Sequence, residues 1–79
     1  MRNAEIDAAI ITQVGLHWRK VAAIVALVAN GFGRDEVWAR RQVAKRIRVL
    51  ARKGLLEVVG NPYIWRGSEI RLRQPSARI

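Results

Sequence analysis

Cysteine is absent from this 79-residue chain, and histidine occurs once. Those two counts exclude disulfide scaffolds, thiol nucleophiles and zinc modules built on Cys/His sets. No metal and no cofactor is expected, so packing alone has to account for the fold. Acidic residues are scarce as well, six Asp/Glu against fifteen Lys/Arg. Two pairs of them, Glu5 with Asp7 and Asp35 with Glu36, fall at expected helix starts, where a carboxylate stabilises the helix dipole by about 0.3–1 kcal/mol. That structural role is preferred to acid/base chemistry. His17 has no nucleophile and orienting third group beside it, and Ser68 and Ser76 fall in a hairpin tip and a tail. No catalytic residue is identified, and the chain is not expected to be an enzyme. Long apolar runs are missing too. Residues 21–29 form the longest, nine residues against the roughly 20 that span a bilayer, so this run reads as a buried helix and no membrane partner is expected. Glu5 and Asp7 in the first residues do not fit a secretory signal, and a reducing, cytoplasmic location is the expectation.

What the chain does have is positive charge and apolar surface together. The formal net charge is +9 with 51% hydrophobic residues, and the sequence pI is near 11.7. A chain of this length has room for one small domain, burying only about 60% of its unfolded surface. The charge is concentrated, because residues 34–53 hold eight Lys/Arg against two Asp/Glu, a local balance of +6. At about 100° per residue, this stretch places Ala39, Val43, Ile47 and Leu50 on one stripe and Arg41, Lys45, Arg48 and Arg52 opposite. One face suits a core and the other suits anions. Long cations also serve as ordinary solvated surface, but such surfaces mix signs, and here no acid occurs between Glu36 and Glu57. Contact with nucleic acid is therefore the preferred reading, arginine being the bidentate reader of guanine and phosphate.

Along the chain, Asn3 suits an N-cap, and Ile6, Ile10 and Val14 recur at four-residue steps up to Gly15. A second helix is expected over residues 16–30, opening with His17, Arg19 and Lys20 and then wholly apolar. Asn30, Gly31 and Gly33 end it, and the short turn over residues 31–34 leads to a third helix capped by Asp35 and stopped by Gly54. From there the period becomes twofold. Residues 55–59 and 69–73 read as two antiparallel strands, with Ile70 and Leu72 facing the core and Arg71 and Arg73 facing water or a ligand. The hairpin loop spans residues 60–68. The reading is thus one domain over residues 1–73 and a flexible tail over residues 74–79.

Three aromatic groups matter. Trp18, opening the second helix, is expected to be a core anchor. Trp38 lies off the apolar seam on the flank of Val49, which makes a third face where a partner protein would sit. Tyr63, Ile64 and Trp65 fall in the hairpin loop, either folded back over the third helix or presented for stacking, groove insertion or dimer contact. The nine-residue apolar run of the second helix exceeds one core stripe and suits a homodimer or docking surface.

The order helix, buried helix, glycine turn, basic helix, hairpin resembles the winged helix-turn-helix superfamily, most sharply in VAKRIRVLARKGLLEVVG, residues 43–60. WRKVA at residues 18–22, with GLLEVVGN and SEIRL further on, is also similar to a bacterial C-terminal module of unknown function. The first resemblance implies a mainly α domain of three helices with a small β-hairpin wing, the third helix entering the major groove. It implies double-stranded DNA as partner and a role in transcription regulation, with RNA as another candidate ligand. Carried onto this chain, Arg40, Arg41, Lys45, Arg48 and Arg52 on the third helix and Arg66, Arg71 and Arg73 on the hairpin would contact nucleic acid. Trp38, Tyr63 and Trp65 would stack or meet a partner. The second resemblance supports the same fold and implies no activity; Trp38, the hairpin-loop aromatics and the apolar second helix leave a protein-interaction module with this fold as the alternative.

Overall fold

A computed structural model describes residues 1–34 and 36–74. The element order is α1 (Asn3–Val14), β1 (Arg19–Lys20), α2 (Val21–Gly31), α3 (Val37–Arg52), β2 (Leu56–Val59), a short 3-10 helix (Trp65–Gly67) and β3 (Glu69–Leu72). This is a mainly helical, three-helix domain with a small antiparallel sheet, an architecture compatible with a winged fold. No helix among the described residues is long and apolar enough to cross a membrane.

The apolar spacing produces the core directly. Ile6, Ile10 and Val14 of α1 meet Val21, Ile24, Val25 and Val28 of α2 and Val43, Ile47 and Leu50 of α3, with Leu56 and Ile70 closing from the sheet. All are buried to within a few percent of completely. Removing a large side chain here, as in Ile47→Ala, costs about 2–5 kcal/mol by lost transfer energy and cavity formation. Gly54 ends α3 with a left-handed φ of 83°. The Gly54 N–H donates to the Ala51 carbonyl and the Leu55 N–H to that of Leu50, so two terminal carbonyls are satisfied as the chain turns into β2.

The second helix is shorter than its composition suggests. Arg19 and Lys20 are not its first turn but a strand, paired antiparallel to β3 with Arg19 opposite Ile70 and Lys20 opposite Glu69. The sheet therefore has three strands in the order β1-β3-β2. An unpaired β3 edge offers the backbone of residues 19–20 hydrogen bonds that compete with helix extension, and the Val21 N–H donates to the Ser68 carbonyl where the helix begins. This also moves Trp18. It is 38% exposed rather than a core anchor, and the Arg71 guanidinium lies 4.5 Å from its ring centroid. The half-buried Trp65 packs against the core instead.

Two cap assignments shift. Arg2, not Asn3, is the N-cap of α1, its N–H donating to Glu5 Oε1 at 3.3 Å. Asp35 lies outside the described residues, and Glu36 occupies the N-cap of α3. Residues 75–79, most of the expected tail, are likewise outside them.

Asp7 is more than a dipole partner. Arg46 Nε donates to its Oδ1 and Arg46 Nη2 to its Oδ2, both at 2.8 Å, a bidentate pair joining α1 to α3. These bonds hold the Asp7 carboxyl below its ordinary value, against the upward push of partial burial, and make Arg46 harder to deprotonate. The stability they give is present above the unfolded carboxylate pKa, about 3.9, and is lost as pH falls through the lower folded value. Urea midpoints should show Asp7→Asn less stable than the parent at neutral pH, with the gap closing in acid. A gap that persists unchanged in acid would mean the pair contributes nothing through its charge.

Candidate nucleic-acid interface

The inner stripe of α3 fixes where its outer surface points. Ala39, Val43, Ile47 and Leu50 are at most 2% exposed, which leaves Arg41, Lys45 and Arg52 exposed and Arg48 half-buried on the opposite side. None of these four pairs with a carboxylate among the described residues. Both flanks of this row are defined. On one side Gln42 Nε2 donates to the Met1 carbonyl at 3.3 Å and Arg46 holds Asp7. On the other the Arg48 guanidinium lies over the Tyr63 ring, 4.5 Å from its centroid, which brings the wing loop against the helix.

Trp38 lies at the edge of this outer row, on the flank that also carries Val49. Trp38, Arg41, Lys45, Arg48 and Arg52 recur at alternating steps of three and four, the spacing of one helix face. Trp38 is 52% exposed, whereas Val49 is half-buried. Arg34 lies over the indole, 5.9 Å from its centroid. The Arg34 guanidinium also lies 3.7 Å from Glu36 Oε1, an exposed pair of little energetic weight.

Several expected contacts fall elsewhere. Arg40 is half-buried and engaged, because the 100° step turns it from Arg41 toward the core side of α3. Arg71 is also engaged, its Nε donating to Glu57 Oε2 while its guanidinium covers Trp18. The pairing Glu57↔Arg71 is a cross-strand neighbour set, so Arg71 holds the sheet's outer side together. Arg66 is exposed, and its 3-10 helix packs on α2 and β1. Arg73 stands just past the end of α3. Its N–H donates to the Leu55 carbonyl at 3.0 Å, and its Nη1 stands 3.5 Å from where a Cβ on Gly54 would be, at the C-terminal end of α3. Exposed Lys53 lies in the same region and was not singled out from the sequence.

The wing loop separates its aromatics. Trp65 is committed to the core, while Tyr63 and Ile64 remain 65% and 59% exposed. A local turn holds them. The Tyr63 N–H donates to Asn61 Oδ1 at 2.9 Å and the Ile64 N–H to the Asn61 carbonyl at 2.8 Å. Ser68 is buried with its Oγ donating to the Ile64 carbonyl at 2.9 Å. Gly60 closes the neck of the loop at φ 86°, and a Cβ there would stand 2.7 Å from the Gly67 carbonyl oxygen.

Away from this surface, Ala8, Ala9, Thr12, Gln13, Leu27, Val28, Gly31 and Phe32 line a groove of about 300 Å³ between α1 and α2. Among the described residues, no group of three or more His, Asp or Glu is placed to hold a metal ion.

Gly60→Ala should cost about 1–3 kcal/mol, from left-handed backbone strain with the steric conflict at Gly67 added. Chemical denaturation checks this, and an unchanged midpoint would show that the neck opens freely. Comparison with protein-family models, with curated proteins and with solved structures finds no match to this chain.

Proposed function

We propose that this domain binds nucleic acid, double-stranded DNA in the first instance, through the outer face of α3, and that it serves transcription regulation in the cytoplasm. The observation that carries the reading is the row Arg41, Lys45, Arg48 and Arg52, held outward by a fully buried inner stripe and free of carboxylate partners among the described residues. α3 has 16 residues, about 24 Å of helix, and a major groove about 12 Å wide admits such an element. Lys53 and Arg73 add exposed positive charge just past the last turn. The mechanism is electrostatic docking. Phosphates replace the counterions around these side chains, and an arginine that reaches a base edge adds sequence preference.

A second reading has its own observation. The α1–α2 groove and Leu27, 42% exposed beside it, form an apolar surface on another side of the molecule, which suits a protein-interaction module or a homodimer. Light scattering with and without nucleic acid separates the two readings.

With about six cations engaged, the logarithm of the duplex binding constant should fall against log salt with a slope near −5. Titration at several salt concentrations measures this. A flat response, or no binding at low salt, contradicts the proposal. Single alanine replacements of Arg41, Lys45, Arg48 and Arg52 then sort the row. A base reader changes sequence preference by about 1–3 kcal/mol, whereas a phosphate contact weakens all sequences alike.

A further inference from the structure

The row on α3 is not purely cationic. Trp38 stands at its N-terminal end and Tyr63 beside Arg48, both more than half exposed, and neither ring is needed by the core, which uses Trp65 and Phe32 instead. Each ring has a guanidinium over it, Arg34 at 5.9 Å and Arg48 at 4.5 Å, and most of the side chain stays open to solvent. Large aromatics left open beside a row of exposed cations are the combination that binds a nucleic-acid strand by its bases as well as its phosphates.

We propose that the ligand presents unpaired bases next to the phosphates, and that Trp38 and Tyr63 take those bases by stacking. This rests on the nucleic-acid reading above and narrows its substrate class to a duplex continued by a single-stranded end. Geometry and base chemistry both support it. Trp38 and Arg48 are ten residues apart on one helix, about 15 Å, with Arg41 and Lys45 between them, so a strand whose phosphates follow the cations passes both rings. Inside a duplex each base is covered by its neighbours and offers only its edge in the groove. An indole, with one N–H donor, reads edges poorly, whereas an unpaired base exposes the π-face that an indole or phenol ring can cover. Tyr63 is also pre-positioned, since the Asn61 turn and the Gly60 neck fix its backbone, which reduces the entropy lost on stacking.

The test uses the full chain and fluorescence anisotropy with two probes, a blunt duplex and the same duplex carrying a thymidine overhang. Overhang DNA should bind at least about tenfold more tightly than blunt duplex, a stacked base contributing about 1–3 kcal/mol. Trp38→Ala and Tyr63→Ala should each weaken overhang binding by about five- to a hundredfold and blunt-duplex binding by a clearly smaller factor, removing the preference for the overhang. Trp38→Phe and Tyr63→Phe should restore most of the loss, and circular dichroism should show every variant folded. Equal, salt-sensitive binding of the two probes, with the alanine variants changing both alike or neither, overturns this inference and leaves phosphate docking standing. Absence of binding to both probes overturns the two together.

Discussion

Burial of the inner stripe of α3 is the constraint on which the rest of the molecule depends. The helix packs against α1, α2 and β2, and Ala39, Val43 and Ile47 are completely buried. Rotating the helix by one residue would carry side chains through about 100° and bring cations toward apolar neighbours, where an unpaired charge is heavily penalised. Orientation of the cationic row is therefore set by desolvation and not by any contact the cations make. The Arg46–Asp7 pair and the Arg48–Tyr63 contact then fix the two flanks of the row.

Guanidinium groups do three different jobs in this small domain. Arg46 and Arg71 are structural, each bonded to a carboxylate on another element. Arg34 and Arg48 lie over aromatic rings, with Arg71 doing the same to Trp18. Arg41, Arg52 and Arg73 are exposed at or beside α3. A net charge of +9 on 79 residues repels itself in the compact state, and pairing part of it internally offsets some of that cost. Among the described residues, part of the unpaired charge lies on the outer side of α3, as Arg41, Lys45, Arg48 and Arg52, where an anionic ligand would relieve it.

The three helices and both hairpin strands were legible because their apolar periods are strong and glycines punctuate them. Ile6, Ile10 and Val14 alone define α1, and Gly54 marks the change of period. What escaped the sequence is non-local. Arg19 and Lys20 pair as a strand because β3, some fifty residues later, offers an edge, and no pattern within residues 16–30 reports that. Trp18 followed the strand to the surface. Of the expected contact residues, Arg41, Lys45, Arg48 and Arg52 lie on one surface because helix geometry is local. Arg40 and Arg71 do not, the first by its angle on the helix and the second by a cross-strand acid. The Asp7–Arg46 pair was invisible because its members stand 39 residues apart. Trp38 shares both the three-and-four spacing of the arginines and a flank with Val49, so local periodicity alone assigns it to either surface.

The proposed nucleic-acid surface is the outer side of α3 with the hairpin loop beside it. The most direct measurement is an amide chemical-shift titration of the isotopically labelled chain with a duplex bearing a single-stranded end. Saturable changes concentrated on Val37–Arg52 and around Tyr63 are expected, with the groove residues Ala8, Thr12, Leu27 and Phe32 unmoved. Changes centred on that groove, or none on α3 at saturating ligand, would contradict the proposed surface.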